Sequence, residues 1–383
     1  MSEKVLICAM NYYTCPFRVG SHHYAYGFKK LGYEVAFVSK PLSPWHLLFA
    51  KNKERADRYK IWQSRGIDDD GIWSYVPMSS FTPSHAPLLR SKFCMNHWQN
   101  FTCPNFMNLL KEKGFDHVKI LWFDNPAFGF LLDKIKYDKS ILRIADNLKG
   151  FPNCWPALID KELELAQRVD RVIYTARNLK SQFAGQVDES KMTLVPNGVD
   201  FEFFQNADKS FPEEFRDIPE PRIVYVGAID KWFDVEMLYH AAQKLPACNF
   251  ILIGLARTNI SHLEGVKNVF ILGPKPYQRV PQFLTHSQVG IIPFVRNELV
   301  EYVNPIKLYE YMACGLPVVS TSWQEIREMN SPAFLANDEA EFVSGITQAL
   351  QETSGSKYIE YAKGNEWQQR VRQVLQLLSR NEK

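Results

Sequence analysis

Long apolar runs are missing from this chain. No stretch approaches the ~20 residues that a membrane-spanning helix needs. The N-terminus, MSEKVLICAMNYYT, has only a brief apolar run from Val5 to Met10 before polar aromatics begin, too little for the core of a secretory signal. The chain is therefore expected to be made and kept on the cytosolic side, at most peripheral on the inner face of a membrane. Paired cysteines are missing too. The seven cysteines (Cys8, Cys15, Cys94, Cys103, Cys154, Cys248 and Cys314) are odd in number and form no CxxC pair. A reducing compartment explains this better than a disulfide framework or a cysteine zinc site. No HxxH or HExxH accompanies the double histidine His22–His23, so no metal is expected. A large charge of one sign is also absent: 45 basic against 42 acidic residues leave a net +3, which argues against a dedicated nucleic-acid binder.

With 383 residues, 46% hydrophobic and 23% charged, and no low-complexity tract, the chain has the composition of two globular domains. KVLICAM reads as a buried parallel strand, followed by a polar loop, NYYTCPFRVGSHH, and a helix from about Tyr24 to Leu31. Gly32 stops that helix before the next strand, YEVAFVS, completing a βαβ unit. Further strands are expected at VKILWFD, SILRIAD, RVIYTA and MTLVPN. The polar, proline-containing stretch 205–221 reads as a linker. A second alternating series follows: RIVYVGA, a helix near Val235 to Lys244, NFILIG, NVFILG, a helix near Val280 to Thr285, VGIIPF and PVVST. The expectation is an α/β fold of two Rossmann-like domains facing each other across a cleft. The boundaries are 1–204, a linker at 205–221, 222–362, and a C-terminal helix in 363–383 that either returns to the first domain or caps the second. That helix is amphipathic, with Trp367, Val371, Val374, Leu375 and Leu378 on one face.

The segment NPIKLYEYMACGLPVVS (304–320) carries more than structure requires. Asn304 reads as an N-cap, Pro305 as the first helical residue, and Gly315 as a left-handed stop. Lys307 does not fit that explanation. A cation in the first turn opposes the helix dipole unless an anion sits there, held by free backbone N–H groups and the ammonium together. Glu310, one turn on, faces nearly the same side, where a carboxylate accepts hydrogen bonds from a sugar diol. The alternative is a solvated Lys–Glu pair. The agreement of loop, cap, charge and stop favours a nucleotide-diphosphate site.

This segment, with LVPNGVDFEFF and YVGAIDKWFDVEML, resembles the GT-B glycosyltransferases, particularly bacterial members with an NPxKxYEY signature. The first half, with GSHHYAYGFKKLGYEVAFVS and RIADNLKGF, is more loosely similar to the membrane-associated glucuronosyltransferase of xanthan assembly. The resemblance implies a nucleotide-sugar donor (UDP by preference) and a glycan or lipid-linked acceptor in bacterial surface-polysaccharide synthesis, with no cofactor. It implies that Lys307 holds the diphosphate and Glu310 the ribose hydroxyls. Gly227 would let backbone approach the phosphates, Lys231 would add charge, and Tyr277 in GPKPY would flank the base. Many retaining relatives carry two glutamates with seven residues between them; here the first position is Tyr302, with Glu301 beside it, which sets a retaining mechanism in question.

An inverting transfer needs a base. Asp146 ends the strand SILRIAD at the rim where such folds bind ligands, and it matches the catalytic aspartate of the xanthan-type enzyme; its alternative is a turn cap. His22 and His23, on a loop with a suitable ordinary pKa, compete for the role. Asp124 and Asn125 in WFDNP end another strand, as acceptor-side residues or as caps. Asp68 to Asp70 resemble the metal-binding DxD of the other large glycosyltransferase fold, but the Gly-bounded setting suits a turn. In residues 41–62 the aromatic and apolar Trp45, Leu48 and Phe49 precede the basic Lys51, Lys53, Arg55, Arg58 and Lys60, a pattern for an anionic membrane surface or for an insertion packed on the domain. A nucleotide-sugar epimerase or hydrolase, or a non-catalytic nucleotide-sugar-binding subunit, would use the same scaffold.

Overall fold

A computed structural model describes residues 2–45, 52–151 and 154–379. It divides into two compact units, 1–196 with 371–383, and 197–370.

The first unit is built on strands β1 (Lys4–Ala9), β2 (Glu34–Ser39), β3 (Ile67–Asp69), β4 (Ile72–Tyr75), β5 (His117–Phe123), β6 (Lys136–Ile144), β7 (Arg171–Tyr174) and β8 (Met192–Leu194). They form one sheet in the order β3-β4-β2-β1-β5-β6-β7-β8. Every pairing is parallel except β3–β4. The central strand β1 is buried from Val5 to Ala9, as expected of a strand covered on both faces. Strand order reverses beside it, between β1 and β5, so the carboxyl ends of these strands form the first unit's ligand-facing rim.

The helix after β1 is Gly20–Lys30, four residues earlier at its start than the sequence suggests. His22 and His23 are therefore not on an exposed loop but in a buried first turn, 1% and 6% exposed. Asp68 to Asp70 form a hairpin: Asp70 and Gly71 take positive φ between the antiparallel β3 and β4, and Asp68 Oδ1 accepts from the Gly71 amide at 2.9 Å. Among the described residues no cluster of three His, Cys, Asp or Glu is arranged for a metal. No described helix is long and apolar enough to cross a membrane.

The second unit contains β9 (Arg222–Val226), β10 (Asn249–Ile253), β11 (Val269–Ile271), β12 (Val289–Ile292), β13 (Val318–Thr321) and β14 (Phe334–Ala336), all parallel, in the order β11-β10-β9-β12-β13-β14. Here the order reverses between β9 and β12. Helices Val235–Lys244 and Val280–Thr285 match the sequence expectation.

Residues 205–221 are not a linker. Phe215 and Ile218 are buried in the second unit's core, and Glu214 pairs with Arg279 and Lys275 at 2.8 and 2.9 Å. The polar composition that looked like solvent-exposed tether is a strap pinned by two cations, with an aromatic underside. The last helix, Trp367–Ser379, contributes its residues from Val371 onward to the first unit; there Gln373 and the Leu377 carbonyl bond to Leu194 and Arg171.

Candidate functional site

In the second unit the site forms where strand order reverses. Strand β9 ends at Val226, and Gly227 turns the chain with φ +147°. A side chain at Gly227 would meet Lys307 at 3.1–3.2 Å, and one at Gly254 would strike the Gly227 carbonyl. Both glycines leave backbone bare where phosphate would approach.

The helix carrying the signature runs Ile306–Ala313. Its N-cap position is Pro305, without a side-chain cap, so the expected capping role of Asn304 is not seen. Asn304 is buried, and its side chain is spent inside the unit: Oδ1 accepts from the Asn197 amide and Tyr309 Oη at 3.2 Å each, and Nδ2 donates to Glu325 at 3.0 Å. A proline at the cap offers no side-chain oxygen, which leaves the first helical amides open to an anion. The C-terminus closes as expected. Gly315 is left-handed, and its amide and that of Leu316 bond back to Met312 and Tyr311, a Schellman turn.

Leu308, Tyr309, Tyr311 and Met312 face the core, while Lys307 and Glu310 stay half-buried beside it. Lys307 has no hydrogen bond or ion pair among the described residues. Its Nζ lies 4.9 Å from the Phe294 ring centroid and 5.2 Å from that of Tyr225. Burial lowers its pKa to about 8, Glu310 opposing. Glu310 accepts a hydrogen bond from Tyr277 at 2.9 Å, and burial raises its carboxyl above the usual range against Tyr277 and Lys307. Tyr277 is stacked on Phe203 at 5.1 Å.

Sequence reasoning missed Tyr311. Its hydroxyl accepts from the Val226 amide at 2.7 Å, tying the signature helix to the strand end just before Gly227. Gly290 on β12 makes room for the ring. Lys231 is exposed next to Asp230, which accepts its amide. Tyr302, half-buried, ends a short 3-10 turn; neighbouring Glu301 accepts from the Gln324 amide at 3.1 Å.

The first unit places Asp146 two residues beyond β6, exposed, without a hydrogen bond or ion pair among the described residues. The capping alternative goes to its neighbour: Asn147 caps the turn Leu148–Gly150 by accepting from Lys149. Burial around the loop raises the Asp146 carboxyl, Arg143 opposing and Asp124 adding. Asp146 is exposed, and water at the carboxylate limits that rise.

The histidines serve structure. His22 accepts from the Val19 amide at Nδ1, so Nε2 carries the proton and donates to Tyr12 O at 3.1 Å. Burial lowers His22 to about 4 and His23 well below its ordinary value. Asp124 is buried, 3.5 Å from Arg143 in an ion pair, and accepts from Trp122. Asn125 caps the turn Pro126–Asp133 through the Ala127 amide. Trp45 is 58% exposed; Leu48, Phe49 and Lys51 lie outside the described residues. Of the basic set, Arg58 turns inward, donating to the Lys40 carbonyl at 2.8 Å, whereas Lys53 and Lys60 remain exposed.

Two mostly parallel sheets, each with a point where its strand order reverses, define a protein of two doubly wound α/β units. Comparison with known proteins narrows this. Residues 6–175 match the family model of the N-terminal domain of the glucuronosyltransferase GumK, and residues 220–352 that of group 1 glycosyl transferases. The chain is a GT-B-type glycosyltransferase. It is 26% identical over 282 residues to a putative teichuronic acid biosynthesis glycosyltransferase, TuaH, of Bacillus subtilis, covering 67% of this chain and 70% of that one. Its fold is similar to that of sucrose-phosphate synthase from Thermosynechococcus elongatus (TM-score 0.69, 14% identity, 98% of each chain). It is also similar to Anabaena HepE in complex with UDP-glucose (TM-score 0.65, 14% identity, 98% and 99%).

Proposed function

We propose that this glycosyltransferase moves a sugar from a UDP-sugar to a hydroxyl of a glycan or lipid-linked acceptor in bacterial surface-polysaccharide synthesis, with inversion and without a metal. The observation that carries this reading is Lys307: an ammonium at a helix start, without an anionic partner among the described residues, beside the bare backbone of Gly227. The diphosphate is the counter-ion that this arrangement fits. HepE in complex with UDP-glucose and the likeness to a teichuronic acid enzyme support the choice of uracil and of the pathway class.

In the reaction, the bond from the anomeric carbon to the diphosphate oxygen breaks as the acceptor oxygen bonds to that carbon. The acceptor's proton passes to Asp146, which is exposed and has no hydrogen bond or ion pair among the described residues. Lys307 and the first helical amides stabilise the charge that grows on the leaving diphosphate, with Lys231 adding to it, so positive charge is supplied by the protein. Glu310, steadied by Tyr277, accepts from the ribose hydroxyls. Tyr302 in place of a glutamate, and the use of Glu301 as a cap, favour inversion. Exposed Trp45 with Lys53 and Lys60 supports a peripheral seat on an anionic inner membrane face, the first unit taking the acceptor.

Calorimetric titration with UDP, GDP, ADP and CDP, with and without magnesium, tests the donor site. UDP is expected to bind tightest, with an affinity that magnesium leaves unchanged. Absence of binding by all of them would reduce the signature segment to a well-closed helix.

A further inference from the structure

Asn304 stands immediately before the N-cap of the signature helix and is 3% exposed. Three different elements hold its amide. Oδ1 accepts from the Asn197 amide and from Tyr309 Oη, and Nδ2 donates to Glu325, itself buried on the short helix Gln324–Glu328. The backbone is held as well. The Asn304 carbonyl accepts from Asn197 Nδ2 at 2.7 Å, and the Val303 carbonyl before it accepts from Trp323 Nε1 at 3.0 Å.

Asn197 carries these bonds to a second feature of the chain. The chain enters the second unit at Asn197 and leaves it after Arg370. Inside that unit the two crossing residues meet: Arg370 Nε donates to the Asn197 carbonyl at 3.3 Å. Just beyond, the Val199 amide donates to the Asn365 carbonyl, and the Trp367 amide to the Val199 carbonyl, each at 3.0 Å. Gly198 permits this approach, since a side chain there would stand 2.7 Å from the Asn365 carbonyl. One buried node therefore joins the entering segment, the leaving segment and the start of the helix whose first turn carries Lys307. Directional bonds fix a position more strictly than apolar packing does, because a small shift leaves buried polar atoms without partners. A residue that only filled core would need none of these distant partners.

We propose that Asn304 is a positioning residue of the donor site: it fixes the helix-start amides and Lys307 against both chain crossings, so that a diphosphate meets donors already in place. This rests on the reading of that helix start as the diphosphate site. The Asn304 side chain, spent on protein groups, is not itself a ligand for the nucleotide. Its effect is preorganisation.

Asn304→Asp tests this, because it keeps the shape and the accepting oxygen but turns the donor facing Glu325 into a second carboxylate. Glu325 and Arg370 are the charged groups bonded into the node. At about pH 8 the two carboxylates repel, and calorimetry should find UDP bound about tenfold more weakly than by wild type. At about pH 5 they share a proton, the donor is restored, and the ratio of affinities should return to about one. The ratio to wild type is read at each pH, since the terminal phosphate of UDP itself titrates near about 6. Combining Asn304→Asp with Glu325→Gln moves the donor to the other side of the bond and should recover wild-type affinity at about pH 8. Hydrogen exchange on the nucleotide-free proteins is the second readout. The Asn197, Val199, Leu308 and Trp367 amides, all bonded in or beside the node, should exchange faster in Asn304→Asp, with those of β9 and β10 unchanged. An affinity ratio that is flat with pH, or a double variant as weak as the single one, overturns the proposal. So does faster exchange spread evenly over the unit, which marks general destabilisation. Wild-type protein that binds no UDP would defeat the donor-site reading and this proposal with it, whereas a flat ratio beside tight wild-type binding defeats the role of Asn304 alone.

Discussion

Lys307 should make nucleotide binding fall with pH and should make the empty protein less stable than a variant without the charge. Its pKa of about 8 in the folded chain stands against an ordinary 10.5. Below pH 8 the residue is protonated whether the chain is folded or not. Between about 8 and 10.5 only the unfolded chain keeps the proton, so the unfolded state binds more protons and stability rises with pH across that window. At 1.36 kcal/mol per unit, holding the charge in the empty site costs at most about 3 kcal/mol at neutral pH, and less to the degree that water reaches the half-buried ammonium. A bound diphosphate repays that cost by restoring the proton. UDP affinity should therefore weaken roughly tenfold per pH unit above 8, where the phosphates themselves no longer titrate. Lys307→Met should bind UDP weakly at every pH and unfold several degrees higher than the wild type when empty. Calorimetric titrations between about pH 7 and 9.5, paired with thermal melts of both proteins, check the two signs together. A flat wild-type affinity, or a Lys307→Met protein that melts lower, would refute the account of an uncompensated ammonium.

Asp146→Asn should lower the transfer rate by about a hundredfold or more while leaving the UDP dissociation constant unchanged, as read from turnover and calorimetry on one preparation. Gly227→Ala places a methyl group 3.1–3.2 Å from the end of Lys307 at φ +147°; it should cost about 1–3 kcal/mol of stability and weaken UDP binding, which a denaturant melt and a titration would separate. Glu310→Leu should remove the preference for UDP over its 2′,3′-dideoxy analogue, worth about tenfold or more in the wild type, because the carboxylate is the group that receives the ribose hydroxyls. A preserved preference would assign the ribose elsewhere.

The strands were legible because a parallel strand covered on both faces must be almost wholly apolar, and β1, β2 and β5 are. Lys307 was legible for the opposite reason: a cation in a first helical turn conflicts with the helix dipole, and local conflicts mark function. Where polar residues stood for solvent, the reading failed. Asn304 looked like a cap and is a buried bridge, because the cap position falls one residue later, on Pro305. His22 and His23 looked like loop residues and are core, because the helix starts at Gly20. The strap at 205–221 looked like a tether because its anchors, Lys275 and Arg279, lie more than fifty residues away and no local pattern reports them.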